Sequence, residues 1–318
     1  MGQIGSIGLI LHPRRNPGPV IESVVHWART HGTEVLGLPD EVGRIACSAV
    51  AVPVDDLVAR AGLIVSLGGD GTMLRAMRLL SGSATPVLGV NLGRLGFLAE
   101  IDVEDLASAL DRIDSGRFTT EARMAVRTRL PDGREFRAFN DIALVRVPGH
   151  GMAAISISLQ GDEFIRYAAD ALVVATSTGS TAYSFAAGGP ILSPRVEAIL
   201  VVPASAHSSF DRALVLPADE EVVLELLPTT GRLAVEVDGE VVEYLDAGDR
   251  ITVTACPAVA HVVRLGGTTF YQRARRKLGI RGSIEAGHLH PDDHVDFALH
   301  ADIAEIADVA DVADTAEL

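Results

Sequence analysis

Cysteine is nearly missing from this chain: Cys47 and Cys256 are its only two, too few and too far apart in sequence for a disulfide framework or a metal knuckle. That usage fits a reducing, cytoplasmic compartment. Long hydrophobic runs are missing too, since each apolar stretch is broken by Gly, Pro or a charge, so no segment resembles a membrane span and no membrane partner is expected. The start, Met1-Gly2-Gln3-Ile4-Gly5, lacks the basic opening and apolar core of a signal peptide. Positive charge is in deficit, with 27 Lys and Arg against 42 Asp and Glu and a formal charge of −15. Gripping a nucleic-acid backbone needs clustered cations, so no nucleic-acid partner is expected. Small nucleotides stay open as ligands, because main-chain N–H groups and a few local cations hold them whatever the net charge. A Walker-type glycine-lysine loop and a nucleophile-elbow serine are also absent.

What is present is enough apolar material, 48% of 318 residues, for two cores, and the length makes two domains the default. Residues 4–11 read as a first strand and 17–30 as a helix. The alternation continues through a strand at 61–67, a helix at 72–80, a strand at 86–90 and a helix at 103–113. Such alternation predicts a parallel sheet flanked by helices, with a ligand crevice at the carboxyl ends of its strands. Near Arg123 the texture changes to short alternating runs, such as 126–130, 153–159, 222–227 and 233–237. Turns such as Pro131-Asp132-Gly133, Gln160-Gly161-Asp162 and Asp238-Gly239 separate them, so this half reads as mostly β. A basic helical segment, Phe270–Leu278, follows and is expected to return over the first domain. From about Ile284 the composition turns to His, Asp and Ala, and its three-residue apolar period makes no stable stripe on a helix; an acidic, flexible tail is expected over 284–318.

The densest local signal is Leu63-Ile64-Val65-Ser66-Leu67-Gly68-Gly69-Asp70-Gly71-Thr72, an apolar strand running into a glycine turn and then a helix. The first N–H groups of that helix favour anions, and Gly68, Gly69 and Gly71 let a polyphosphate approach the main chain. Asp70 is a poor phosphate ligand, because a bare carboxylate repels phosphate; a base or a metal holder suits it better. An ordinary strand-to-helix turn with Asp70 as N-cap reads the same residues.

The second dense segment runs from Asp170 to Pro190, a strand followed by a hydroxyl-rich glycine turn, a short helix carrying Tyr183, and a glycine-proline stop. Hydroxyls, small residues and one aromatic at close spacing suit a planar base beside a ribose. Ser and Thr also favour turns for purely local reasons.

Together the two segments resemble the NAD kinase family. The resemblance covers about residues 4–280 in consistent order: GGDGT at 68–72, Asn91-Leu92-Gly93-Arg94-Leu95-Gly96-Phe97-Leu98, the pair Asn140-Asp141, Asp170, TGSTAYSFAAGGP at 178–190, His207-Ser208 and Arg275-Arg276-Lys277-Leu278. It implies a two-domain enzyme that uses ATP and Mg²⁺ to phosphorylate the 2′-hydroxyl of the adenosine ribose of NAD, giving NADP. The implied domains are an α/β nucleotide and phosphate domain over 1–122, joined by the returning helix 268–283, and a β-rich NAD-binding and assembly domain over 123–267. By the same resemblance Asp70 is the proton acceptor, and Gly68, Gly69, Gly71, Thr72 and Arg75 seat phosphates. A basic residue at the position of Arg75 accompanies polyphosphate use in some relatives. Asn140 and Asp141 match an NAD-contacting pair, Asp170 an acid near the nicotinamide end, and Thr178, Thr181, Ala182, Tyr183, Ser184, Phe185 and Ala186 the adenosine segment. Assembly as a homodimer or homotetramer is implied as well.

The chain departs from the family pattern at Ala171, Ser177, Ala186, Ala206 and Gly151, where Gly, Pro, Ser, Pro and a basic residue are usual. These departures keep two alternatives open, a non-catalytic NAD- or NADP-binding regulatory paralogue and a related small-molecule or lipid kinase. Three weaker signals read plainly. Gly149-His150-Gly151-Met152-Ala153-Ala154 fits a dinucleotide fingerprint by letter but opens no helix and reads as a hairpin loop. His288, His290 and His294 read as solvated tail, and Arg273, Arg275, Arg276 and Lys277 as a solvated helix face.

Overall fold

Apolar runs without polar alternation need cover on both faces, and the first third of the chain meets that need with a parallel sheet between helices. The computed structural model describes residues 3–45, 47–93, 96–208 and 210–280. In order come β1 (Ser6–Leu11), α1 (Gly18–His31), β2 (Glu34–Gly37), α2 (Pro39–Ile45), β3 (Val50–Ala51), α3 (Val54–Arg60), β4 (Leu63–Gly68), α4 (Asp70–Leu79), β5 (Pro86–Asn91), β6 (Ile101–Asp102) and α5 (Leu106–Asp114). β1 lies between β2 and β4, and β4 between β1 and β5, all parallel. Every residue of β1 and β4 is buried. α1 ends at Gly32 in left-handed backbone (φ 68°), and Trp27 ties it to α5 by donating to the Asp111 carboxylate at 2.7 Å.

The β-rich part follows as β7 (Thr119–Arg129), β8 (Glu135–Ala138), β9 (Asp141–Arg146), β10 (Ala153–Leu159), β11 (Asp162–Ala169), β12 (Ala171–Thr176), α6 (Tyr183–Ala186), β13 (Ala198–Ala204), β14 (Leu214–Pro217), β15 (Val222–Leu226), β16 (Leu233–Val237), β17 (Glu240–Leu245) and β18 (Arg250–Arg264), with α7 (Phe270–Lys277) last. β14, β13, β12, β9, β16 and β17 form one six-stranded antiparallel sheet. Its inner face, including Leu144, Val174, Val201 and Val235, packs on Ile155, Ile157, Leu224 and Val253 of a second sheet. That second sheet does not stop at the boundary in texture. β18 is antiparallel to β15 and β7 and then, at His261 and Val262, parallel to β5, so a single sheet runs from β11 to β3 through both halves. A register shift between Cys256 and Ala260, with Ala258 at φ 49°, lets β18 bend between its two roles.

The α/β reading of the first half and the mostly β reading of the second both hold. Some particulars differ. The helix expected from Thr72 starts at Asp70, and the one expected from Val103 opens as a 3-10 turn over Val103–Asp105 before α5. The loop at Gly149–Ala154 joins β9 to β10, which belong to different sheets, so it is a crossing rather than a hairpin. Arg273 is buried, because its guanidinium has carbonyls and a carboxylate to meet inside. The expected tail, with its histidines, lies outside the described residues.

Ile64 is fully buried in central β4, with its tip against Gly8 of β1. Ile64→Ala is expected to lower unfolding free energy by about 2–5 kcal/mol in urea titration, the range for an aliphatic truncation that leaves a cavity.

Candidate active site

β4 runs out at Gly68, where an added Cβ would collide with the Thr72 side chain, and the chain turns through Gly69 into α4. Asp70 is therefore the first helical residue rather than the N-cap, a position Gly69 takes, and no side chain caps this helix. The Asp70 carboxylate reaches instead to the loop after β5. Its Oδ2 accepts the Phe97 N–H at 3.0 Å and its Oδ1 the Leu98 N–H at 3.0 Å. Gly96 makes room for this, since a Cβ there would strike Oδ1. From the other side Lys277, the last residue of α7, donates its Nζ to Oδ2 at 3.1 Å and lies 4.9 Å from the centre of the Phe97 ring.

These groups open on a cavity of about 490 Å³. Gly68, Gly69, Asp70, Gly71, Thr72 and Arg75 all line it, as the motif predicts, and so do His12, Arg15, Arg78, Glu240 and Lys277. Arg15, Arg75, Arg78 and Lys277 outnumber the two carboxylates in the lining, Asp70 and Glu240. In a chain of net charge −15, that local excess of cations marks a place for an anion. Arg75 pairs with the Glu41 carboxylate and donates to the Leu11 carbonyl at 3.3 Å. Burial, then the neighbouring Arg78, lowers its pKa. The His12 ring accepts from the Arg14 and Arg15 N–H groups at 3.1 and 3.0 Å, which orders the loop between β1 and α1. Burial and the charges of Arg15, Arg44 and Arg14 hold its pKa below the usual histidine range, so it stays a neutral acceptor at pH 7.

The second motif folds around Asn140 and Asp141. Thr176, at the end of β12, donates its hydroxyl to the Phe139 carbonyl at 2.5 Å and its N–H to the Asn140 carbonyl at 2.8 Å. Gly179 then sits so close that a Cβ would collide with the Asn140 carbonyl. A 3-10 turn over Gly179–Thr181, with Thr181 donating to the Thr178 carbonyl at 3.3 Å, leads through Ala182 into α6. Tyr183 opens α6, and its N–H side faces the Asp141 carboxylate and slightly lowers its pKa. Ser184 is buried behind it, Phe185 is exposed, and Ala186 closes the helix. Asp170, just before β12, pairs with Arg146 at 2.5 Å. Ala171 lies in extended β12, outside the left-handed region, so its Cβ is no obstacle where relatives carry glycine.

The cavity lining does not include Asn140, Asp141, Asp170 or the 178–186 segment. The two clusters meet through residues that sequence reading passed over. Asp238, read only as turn punctuation, sits at the tip of the β16–β17 hairpin in left-handed backbone (φ 48°) with its carboxylate wholly buried. Its Oδ1 accepts the N–H groups of Asn140 (2.7 Å) and Asp141 (3.4 Å), and its Oδ2 that of Phe139 (3.2 Å). Arg78 of α4 reaches the same hairpin, 3.8 Å from Asp238 and 3.1 Å from Glu240. An Asp-Gly pair between two alternating runs was the available signal, but it announces a hairpin and not what its carboxylate meets.

Burial, reinforced by Asp238 and Glu236, pushes the Asp141 pKa up to about 7. Burial also raises Asp238 and Glu236, and burial with the charges of Glu236, Asp141 and Asp170 raises the Tyr183 phenol. Because the folded chain holds a proton on Asp141 that the unfolded chain has released, stability falls as pH rises from about 4 to about 7. Asp141→Asn is expected to flatten that stretch of the urea-midpoint profile against pH. Gly179→Ala is expected to cost about 1–3 kcal/mol in the same titration, because the obstacle is a backbone carbonyl that has no rotamer to escape into.

Comparison with known proteins agrees with this geometry. The model of the ATP-NAD kinase N-terminal domain matches residues 51–118, and that of the ATP-NAD kinase C-terminal domain residues 139–265. The chain is 36% identical to NAD kinase 1 of Streptomyces avermitilis over 86% of this chain and 87% of that protein. It is 34% identical to the NAD kinase of Moorella thermoacetica over 89% and 91%. Among solved structures, yeast NADH kinase complexed with NADH aligns with a TM-score of 0.78 at 28% identity, covering 88% of this chain and 89% of that one. An NAD kinase from Archaeoglobus fulgidus in complex with ATP shares the fold, with a TM-score of 0.66 at 23% identity over 86% and 97%. A glycine turn holding one carboxylate, a hydroxyl-rich turn locked to an Asn-Asp pair, and relatives matched over most of their length together place this chain in the ATP-NAD kinase family.

Proposed function

We propose that this NAD kinase moves the γ-phosphoryl group of ATP onto the 2′-hydroxyl of the adenosine ribose of NAD with Asp70 as proton acceptor. The observation that carries the reading is the Asp70 carboxylate, aimed by two main-chain N–H groups into a cavity rich in cations. The ribose oxygen attacks the γ-phosphorus as the bond from that phosphorus to the β–γ bridging oxygen breaks. ADP leaves with the electron pair, and the hydroxyl proton passes to Asp70. Phosphoryl transfer asks a protein mainly for positioning and charge stabilisation, which Gly68, Gly69, Gly71 and Thr72 supply through the main chain and Arg75 through its charge. Arg75, Arg15 and Arg78 extend the same surface, which supports polyphosphate as a second donor.

Asn140, Asp141 and the segment Thr178, Thr181, Ala182, Tyr183, Ser184, Phe185 and Ala186 take the NAD nucleosides, with Asp170 toward the nicotinamide end. A raised Asp141 pKa suits that task, because a carboxyl near half-protonation both donates to and accepts from ribose hydroxyls. Asp70 and Glu240 are the carboxylates of the cavity, and among the described residues no three His, Cys, Asp or Glu side chains are placed together to hold a metal ion. That donor set fits Mg²⁺ carried in on the ATP phosphates, with at most one or two carboxylates assisting. Magnesium so bound supplies charge neutralisation on the phosphates.

The working division is an α/β phosphate half over 1–122 with the helix that returns from 268, and a β-rich nucleoside half over 123–267. β14 and β17 are the two edges of the six-stranded sheet, and Val215, Val241 and Tyr244 are exposed on them. Those apolar edges support assembly as a homodimer or homotetramer. Among the described residues no helix is long and apolar enough to cross a membrane, and with two unpaired cysteines this supports a cytoplasmic enzyme.

Asp70→Asn is expected to cut turnover by about 10²–10⁴-fold, the usual worth of a positioned base, while NAD affinity by calorimetry stays within a few-fold. The assay follows NADP formation from NAD and from NADH with Mg²⁺ and either ATP or polyphosphate. A variant that keeps the wild-type rate removes Asp70 from the mechanism, and wild-type protein that binds NAD without product is a sensor instead.

A further inference from the structure

Lys277 is the only lysine in the sequence, among 27 basic residues. It ends α7, the helix that returns from the β-rich half, and its ammonium lies in the lining of the cavity against the one carboxylate assigned the chemistry. We propose that Lys277 is a positioning residue for Asp70, and that α7 exists at this place to deliver it. The proposal rests on the reading of Asp70 as proton acceptor.

Four observations bear on it. Oδ1 of Asp70 accepts the Leu98 N–H, and Oδ2 takes both the Phe97 N–H and the Lys277 ammonium, so the carboxylate plane is fixed at three points. The ammonium is itself located, because it rests 4.9 Å from the centre of the Phe97 ring while the main-chain N–H of the same Phe97 holds the oxygen it donates to. α7 is anchored far more firmly than a surface helix needs. Thr269 and Gln272 cap it reciprocally, and the buried Arg273, one turn before Lys277, donates to the Ala99 and Thr268 carbonyls and to Glu100 at 2.7 Å. That anchorage lands on the loop that also supplies the Phe97 and Leu98 donors, so the ammonium and the two N–H groups keep one frame of reference.

The chemistry favours lysine over arginine here. A bidentate guanidinium fork would engage both oxygens of a carboxylate that must accept a proton and slow its protonation, while an ammonium is a point charge on a flexible stem. When the ribose proton reaches Asp70 the attraction to Lys277 falls away, and the ammonium stays in a cavity where the transferred phosphoryl group has arrived. No proton leaves Lys277 in this sequence. Its charge is the same before and after the transfer.

The test is Lys277→Met, which keeps most of the stem and removes the charge, beside Lys277→Arg. Lys277→Met is expected to lower kcat by about 10²-fold, the scale for misplacing a reacting group by an ångström, with NAD and ATP affinities by calorimetry within threefold of wild type. Lys277→Arg, which keeps the charge, is expected to recover at least a tenth of the wild-type kcat. A structural role would instead lower the melting temperature and both affinities together, and a direct grip on ATP would lower ATP affinity in step with rate. Either result overturns the proposal, as does a Lys277→Met enzyme that keeps more than half of the wild-type kcat.

A second readout needs no turnover. With a single lysine, an amine reagent such as trinitrobenzenesulfonate reports Lys277 and the α-amine alone, told apart by peptide mapping. Asp70→Asn is expected to raise the labelling rate of Lys277 several-fold, and an unchanged rate shows that the pair does not form. If labelling rises but Asp70→Asn keeps full activity, the reading of Asp70 as base has failed and the pair has not. If Asp70→Asn is inactive and Lys277→Met is not, only the positioning role has failed.

Discussion

Main-chain N–H groups hold the Asp70 carboxylate, and main-chain groups can be aimed only by the fold that carries them. The Phe97 and Leu98 donors belong to a loop leaving β5, and that loop lies so close to the sheet that a Cβ on Gly89 would meet the backbone of Ala99. One residue further on, Glu100 is buried and accepts from Arg264 at 2.9 Å, Arg273 at 2.7 Å and the Leu265 N–H at 2.8 Å. Arg264 ends β18 and Arg273 belongs to α7, so the loop is tied to the strand that crosses the molecule and to the helix that follows it. Buried ion pairs add little net stability against apolar replacements, but removing one partner leaves a charge stranded in the interior. Their contribution here is to register: they allow the loop one position relative to β18 and α7.

The same strand holds two motifs about a hundred residues apart in one frame. β18 hydrogen-bonds to β5 at one end and to β15 and β7 along its length, so a displacement of the β-rich half relative to α4 would break a continuous ladder. Across that frame runs a shorter path. Arg78 on α4 meets Asp238 and Glu240, and Asp238 caps the backbone that presents Asn140 and Asp141. An arginine of the helix that Asp70 opens thus touches the hairpin that caps the Asn140–Asp141 backbone. Loss of a buried capping carboxylate would leave three N–H groups without an acceptor, a cost of about 1–3 kcal/mol for each group.

Most of the fold was legible because its signals are local. The strand at Leu63–Gly68 is a continuous apolar run, β10 and β16 alternate in step with the pleat, and the glycine turns punctuate both. The motif residues at 68–75 were legible for the same reason, and the structure does bring them to one cavity. What stayed hidden depends on contact across sequence. Nothing in Phe270–Lys277 distinguishes Arg273, which turns inward to Glu100, from Arg276, which stays exposed; periodicity gives a face but not what lies opposite it. The continuity of the sheet through β18 was equally hidden, because on one edge this fifteen-residue strand pairs first with β15 and then with β5, partners the sequence does not name.

Charge sorts the two clusters into different kinds of environment. Around the cavity the cations of Arg15, Arg75, Arg78 and Lys277 prevail, which suits phosphates that bring their own negative charge. Around Tyr183 stand the acids Glu236, Asp141 and Asp170, the last paired with Arg146; burial raises the pKa of Asp141 and Glu236, and a phosphate there would face carboxyl groups. Sugar hydroxyls suffer no such penalty. They exchange hydrogen bonds with carboxyls in either protonation state, so such a cluster would suit a nucleoside better than the phosphates joined to it. Under the proposed function, a dinucleotide laid across both clusters would be oriented before any base-specific contact forms, with its sugars toward one side and the donor phosphates toward the other. The hydroxyl to be phosphorylated belongs at the boundary between the two fields. Under the proposed function Asp70 takes its proton there, standing on the cationic side of that boundary with its carboxylate oxygens held by Phe97, Leu98 and Lys277.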